Sequence, residues 1–417
     1  MPPELRHALD SWGPKMRQTI AATQASWASA KRVQGFRRLS ASGLRVGTDC
    51  SGAEAPVWSL RQMGVPHRHL FSCDINATVR SFIQAACPPE HTLYADMLRR
   101  NPDDLPDIDI YVIGFPCTPY SSLHLKSRLM REVAAKPYFQ LLKVLRSKWP
   151  AMAILENVVG LRKVLRRVLR DLKALRCYTI LYFILDPTHF GEPVSRPRYY
   201  ILLLRRDAVV SRNVGDIVDF VKSCLSAARA PVTQHVRQRM LPNTHPTVQN
   251  FLRQAAAQAT SKSGVPAFSS VGSMAGLTCA RQRSVWQSVQ QRARGADAIA
   301  NVTQGAERCS ARTDGICPTI TPQGRFCVGL ARRPVLGCEK LLLHGFPLHR
   351  MQIPTSISST SLGLLGGNTM HLHCIGIVLL MGIALLKERL PPYRVGGSSG
   401  EMPDVAFIDT VAPADQH

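Results

Sequence analysis

Acidic residues are scarce: 28 Asp and Glu face 52 Lys and Arg in 417 residues, a formal charge of +24. The cationic excess suits a polyanionic partner, nucleic acid first and an anionic membrane surface second; charge alone leaves open a merely soluble, solvated surface. Paired cysteines are also missing. The twelve cysteines form no Cys-x-x-Cys, so zinc-ribbon and thioredoxin-like sites lack their spacing. Such a scatter in a long chain reads as reduced thiols inside a cell, not a disulfide scaffold, and no metal site is expected. No secretory signal is visible, which points to the nucleus in a eukaryote and to the cytoplasm otherwise. The first 43 residues are basic like an organelle transit peptide. Glu4 and Asp10 count against that reading, and a basic arm touching nucleic acid is the other one. The wholly apolar run Cys374–Leu386 is 13 residues long, short of the ~20 that span a bilayer. It is expected as a buried core helix, with no membrane partner. Internal repeats are absent, and so is G-x-G-x-x-G, which disfavours NAD.

What is present is a core. Hydrophobic residues make up 45% of the chain, enough for one large domain or two. From residue 44, short apolar runs alternate with helical stretches. LRVGTDC (44–50), HLFSCD (69–74), DIYVIG (109–114), MAILE (152–156), YTILYFIL (178–185) and RYYILLLR (198–205) read as strands. APVWSLRQMG (55–64), NATVRSFIQAA (76–86) and GLRKVLRRVLRDLKAL (160–175) read as helices, the last with a basic outer face. This alternation predicts an α/β fold with a doubly wound, mostly parallel sheet. Five segments are expected: a basic extension (1–43), the catalytic domain (44–205), a smaller recognition domain (206–347), a segment returning to the first domain (348–390), and a flexible acidic tail (391–417).

Ligands of doubly wound sheets bind beyond the carboxyl ends of the strands, so residues just after each strand carry the chemistry. GFPCTPYSS (114–122) places Cys117 on such a loop, stiffened by Pro116 and Pro119. A positioned thiol is a nucleophile once deprotonated; a small buried cysteine is the alternative. ILENV (154–158) ends the neighbouring strand, so Glu156 would stand beside the Cys117 loop as a general acid, or simply as a carboxylate on the following helix dipole. DCSGAEAP (49–56) is a Gly-containing first strand–helix turn, Asp74 ends the second strand, and Asp96 ends another apolar step. Each acid alone could be a cap or turn residue. Together, in strand order, they point to a nucleoside-bearing cofactor.

These motifs resemble the cytosine 5-methyltransferase family over roughly 44–205 and 312–386, in family order. The resemblance implies a Rossmann-like catalytic domain that uses S-adenosylmethionine (SAM). It assigns the cofactor to Asp49, Cys50, Ser51, Gly52, Ala53 and Glu54 of the first loop, Asp74 and Ile75 of CDIN, Asp96 and Met97 of YADM, Pro116, and Asn368 of GGNTMH (366–371). It makes Cys117 the nucleophile, Glu156 the general acid, and Arg196 and Arg198 of FGEPVSRPRYYIL (190–202) base-contacting residues. RTDGICPTITP (312–322) resembles the segment closing the recognition domain, braced by Arg333, Glu339 and HGFP (344–347). Two departures stand out. Val194 replaces the usual Gln, which is expected to loosen Arg196, and the first loop is one residue shorter than the common form. The implied partner is double-stranded, cytosine-containing DNA, with the target base flipped out. Ser121 after the loop aromatic and the long second domain favour DNA over transfer RNA. An inactive nucleic-acid-binding homologue is the remaining alternative.

Overall fold

The computed structural model describes residues 1–41, 43–116, 130, 135–260, 274, 276, 277, 279–294, 297–305, 307, 309, 311–392 and 404–410. In chain order these form α1 (Pro3–Lys31), β1 (Leu44–Asp49), α2 (Ala55–Gln62), β2 (His67–Cys73), α3 (Ala77–Ala86), β3 (Thr92–Tyr94), β4 (Ile110–Ile113), α4 (Lys136–Lys148), β5 (Met152–Val158), α5 (Leu165–Lys173), β6 (Tyr178–Leu185) and β7 (Arg198–Arg205). There follow α6 (Val214–Ala228), α7 (Pro246–Thr260), α8 (Ala280–Ala293), β8 (Ile299–Asn301), β9 (Ala311–Arg312), β10 (Phe326–Val328), β11 (Arg333–Pro334), α9 (Gly337–Leu343), α10 (Ser359–Asn368), α11 (Leu372–Leu385) and β12 (Val405–Phe407).

The larger of two units comprises 11–186, 197–229 and 370–417. Its sheet has eight strands in the order β12-β6-β7-β5-β4-β1-β2-β3. All neighbours run parallel except β7, which is antiparallel to both β5 and β6. β4 and β5 are buried along almost their whole length, as expected of central strands covered on both faces. Every residue of α11 is buried, packed against α2, α6, β5 and β7. Burial on all sides accounts for its unbroken apolar sequence. The stretch Ser359–Leu385 is apolar and long enough to cross a bilayer, but nearly all of its most apolar window is buried inside the protein.

The smaller unit comprises 1–10, 187–196 and 230–369. It holds a four-stranded sheet in the order β11-β10-β8-β9 with antiparallel pairs. A fully buried ion pair braces it: Arg333 reaches Glu339 with Nη1–Oε2 at 2.8 Å and Nη2–Oε1 at 2.7 Å. Glu339 also accepts from the Leu241 and Leu336 amides, and Arg333 donates to the Leu241 carbonyl. Both groups are therefore saturated with partners, the condition under which a buried ion pair is tolerated.

Several segments differ from their sequence reading. The N-terminal 43 residues are not a loose arm: α1 buries Leu5 and Leu9 in one unit and Met16, Ile20 and Trp27 in the other. Residues 206–229 lie in the larger unit, where α6 buries Ile217, Phe220, Val221 and Cys224. The smaller unit runs on to Thr369 rather than ending near 347. The expected helix at 160–175 is a 3-10 turn, Val159–Lys163, followed by the shorter α5. The acidic tail contributes β12, which extends the large sheet beside β6, and Ile408 is fully buried.

Candidate active site

Because β1 to β5 run parallel, their carboxyl ends lie along one edge of the sheet, and antiparallel β7 begins at that edge. This gathers the residues after β1, β2, β3 and β4 together with Glu156 and Arg198.

The turn between β1 and α2 is tightly wound, with Cys50, Gly52 and Glu54 in the left-handed region at φ 49, 55 and 58. Non-glycine residues adopt this conformation only when their surroundings hold them. Here the clamp is polar. Ser51 Oγ donates to the Cys73 carbonyl and accepts from the Cys73 amide. Thr48 Oγ1 lies 2.7 Å from Ser51 Oγ and 2.5 Å from Glu54 Oε1. Glu54 is fully buried, and burial pushes its carboxyl up to about 7. His69 Nε2 approaches Glu54 Oε1 at 3.8 Å, but this is not an ion pair, because burial holds the imidazole neutral, pushed down to about 3. Glu54 therefore faces inward and its side chain is not presented to a ligand. Asp49 is likewise turned inward, held by Arg100 and by Tyr111 Oη at 2.5 Å; burial, against the opposing effect of Arg100, raises its carboxyl. Of the remaining turn residues Gly52 and Ala53 are buried, Ala53 completely, and Cys50 is half-buried.

Asp74 follows β2. It accepts from the Gly52 amide at 3.1 Å and the Asn76 amide at 2.9 Å. The carboxylate thus ties the first turn to the second strand while retaining acceptor capacity for hydroxyls. Beside it Ile75 is 78% exposed, an apolar side chain left open at the strand end. Asp96 caps the turn beginning at Met97, accepting from the Leu98 amide at 2.9 Å, which realises the cap reading of that residue. Met97 is buried against Cys50. Its neighbour Leu98 is exposed.

β4 leads into Gly114, Phe115 and Pro116; Cys117 and the rest of its loop, including Pro119, Tyr120 and Ser121, lie outside the described residues. The path to Cys117 is nonetheless fixed at its root. Asn157 Nδ2 donates to the Phe115 carbonyl at 3.0 Å. A β-carbon on Gly114 would lie 2.9 Å from Met370 Cε, the movable end of a side chain, and 3.4 Å from Glu156 Oε2, an ordinary contact, so the strand end runs directly beside the carboxylate. Glu156 is 9% exposed and meets Arg198 with Nε–Oε1 at 3.3 Å. Two residues separate their registers on the β5–β7 pair, where Val158 faces Arg198.

Arg196 belongs to the smaller unit. Its guanidinium donates to the carbonyls of Ile320 (2.9 Å), Gly367 (3.3 Å) and Thr369 (2.8 Å). Val194 does not loosen it. That residue is fully buried and bridges Cys317, with the Ser195 and Cys317 amides each donating across the bridge at 2.8 Å. Asn368 ends α10 in the same unit with its side chain exposed. Sequence reading passed over Arg100, Tyr111 and His69, which hold Asp49 and Glu54 from elements distant in the chain; no local pattern marks them. Asn157 lay within a recognised motif without being singled out.

A model of the C-5 cytosine-specific DNA methylase family matches residues 50–295. The type II methyltransferase M.BsuFI of Bacillus subtilis is 34% identical over 114 residues, 26% of this chain and 27% of that protein. M.NgoBI of Neisseria gonorrhoeae is also 34% identical over 114 residues, 35% of its own length; the matches thus span about a third or less of these relatives. The DNA (cytosine-5-)-methyltransferase DMT5 of Cryptococcus neoformans is 22% identical across 86% of this chain and 18% of that protein. Among solved structures, a prophage-encoded DNA modification methyltransferase of E. coli, so titled as putative, superposes with TM-score 0.54 at 14% identity, covering 82% of this chain and 99% of the other. The Dnmt2 methyltransferase of S. pombe gives 0.52 at 14% identity, covering 81% and 98%. These superpositions establish the Rossmann-like methyltransferase fold.

Proposed function

We infer that this chain, which belongs to the C-5 cytosine-specific DNA methylase family, transfers a methyl group from SAM to carbon 5 of cytosine in DNA. The observation that carries the reading is the approach of Glu156, Arg198 and Gly114, which sets an acid, a cation and the root of the Cys117 loop side by side at one strand edge.

The first turn and its neighbours fit a nucleoside cofactor. Beside the tightly wound turn, the Asp74 carboxylate and the exposed Ile75 supply a hydroxyl acceptor and an apolar cover. Bound there, SAM supplies the methyl group. Asp74 would hold the ribose, Ile75 the face of the adenine, and Asp96 and Met97 its edge. Asp49 and Glu54 serve the site from beneath by fixing the turn.

Cytosine carbon 5 is a weak nucleophile until carbon 6 is attacked. Cys117 adds as the thiolate, and negative charge builds on the ring. Glu156 donates a proton toward ring nitrogen 3, and Arg198 offsets charge at the ring oxygen. Once carbon 5 carries the methyl group, a base takes its proton, the carbon 6–sulfur bond breaks to release Cys117 as the thiolate, and the nitrogen 3 proton returns to Glu156. Arg196 is a positioning residue, since its Nη1 and Nη2 are engaged by backbone carbonyls. A target inside a duplex must be flipped out of the stack to reach these groups. Incubation with tritiated SAM and either duplex DNA or transfer RNA, followed by mapping of the labelled base, tests the reading. Label on DNA cytosine supports it, and label confined to transfer RNA overturns the DNA assignment.

A further inference from the structure

The outer face of α4 and α5 plays no part in the methyl-transfer chemistry. Residues 159–176 contain Arg162, Lys163, Arg166, Arg167, Arg170, Lys173 and Arg176 against a single acid, Asp171. α4 adds Lys136, Lys143, Arg146 and Lys148 with no acid at all. The two helices are neighbours: Tyr138 Oη donates to Asp171, and the Arg167 guanidinium lies over the Phe139 ring at 5.7 Å. Their apolar sides are spent on the core through Leu141, Val144, Leu145, Val168 and Leu172. Most of these cations are exposed, Arg170 keeping 74% of its side chain exposed even while touching Asp171; Lys173 is half-buried, and Lys148 donates to the Asp103 carbonyl. Among the described residues, no ion pair engages Arg162, Lys163, Arg166, Lys173 or Arg176.

We propose that this two-helix basic face in the larger unit holds the sugar–phosphate backbone of a DNA duplex, as an anchoring surface independent of base sequence. The proposal rests on the DNA reading of the substrate. Like charges this dense repel one another, and a regular polyanion relieves that cost. From Arg166 to Lys173 the helix axis advances about 10 Å, at ~1.5 Å per residue. A duplex presents about six phosphate charges over that distance, at one per ~1.7 Å. A bilayer surface is disfavoured, because membrane-surface helices also insert an apolar face. The apolar face here is in the core, and the exposed large hydrophobics of the described residues, Ile75, Leu98, Leu330 and Phe407, lie outside both helices.

The test compares the full chain with the combined variant Arg162→Gln, Arg166→Gln, Arg170→Gln. Each is titrated with a cytosine-containing duplex and with one lacking cytosine in its central segment, across a series of salt concentrations. Each lost phosphate contact lowers the slope of log affinity against log salt by about 0.9, so the variant slope should be shallower by roughly two to three on both duplexes. Melting temperature, SAM affinity and the methylation rate at saturating duplex should stay at wild-type values. An unchanged slope and affinity on a folded variant overturns the proposal while leaving the methylation reading intact. Loss of binding to anionic phosphatidylserine vesicles, with duplex binding unchanged, overturns it in favour of a lipid surface. Wild-type duplex binding that is flat in salt removes both this surface and the nucleic-acid partner.

Discussion

Glu54 stands on the turn that approaches a nucleoside in doubly wound folds, yet its carboxyl is directed into the protein. Its proton affinity makes that placement measurable. A carboxyl raised by burial from 4.5 to about 7 contributes stability fully below its unfolded value, and that contribution is lost as pH rises through the folded value. His69 acts in the opposite sense: its depressed imidazole contributes stability above its ordinary 6.5, lost as pH falls toward about 3. Glu54→Gln removes only the first effect. The stability of Glu54→Gln relative to wild type, followed by denaturant unfolding from about pH 5 to about pH 8, should rise with pH, by at most roughly 3 kcal/mol at ~1.4 kcal/mol per pH unit. A pH-independent difference would show that Glu54 titrates normally. Asp74 makes the complementary case, since it faces the turn with acceptor capacity to spare. Asp74→Ala should weaken SAM binding by roughly 1–3 kcal/mol, read by calorimetry; unchanged affinity would remove it from the cofactor site. Sequence order revealed that an acid follows β2 and β3, but not that Asp49 and Glu54 turn inward. That depends on Arg100, Tyr111 and His69, which only the folded chain brings to them.

At the scale of elements, the strands were the most legible part. β1, β4, β5, β6 and β7 are short apolar runs bounded by polar residues, and each appears within a residue or two of its expected limits. α1 was not legible. Its buried residues Leu5, Leu9, Met16, Ile20 and Trp27 recur at spacings of four and seven on one side of a helix, but polar residues and Pro14 dilute the pattern. β12 was hidden for another reason: three residues carry no periodicity, and only pairing to β6 makes them a strand. Arg333, Glu339 and HGFP (344–347) were read together as a bracing motif; the structure pairs Arg333 with Glu339 and buries both completely. Glu339→Ala leaves the guanidinium buried beside its backbone partners without a counter-charge. Such a change should destabilise the protein by about 3–5 kcal/mol, visible as a lowered denaturation midpoint, whereas a loss below about 1 kcal/mol would mean that water reaches Arg333 freely.

For the whole molecule, net charge, fold and motif order converge on one chemistry. The +24 charge points to a polyanion, the sheet edge gathers the residues proposed for the cofactor and for acid catalysis, and the family match spans 50–295. The central claim is that Cys117 attacks cytosine covalently. A duplex carrying 5-fluorocytosine tests it most directly, because fluorine on carbon 5 cannot leave as a proton does, so the adduct persists through denaturation. With SAM present, the wild-type chain should give a denaturation-resistant protein–DNA band, and Cys117→Ser should give none while binding SAM within a few-fold of wild type. No band with wild type on the fluorinated duplex, or a band that survives in Cys117→Ser, would contradict the account.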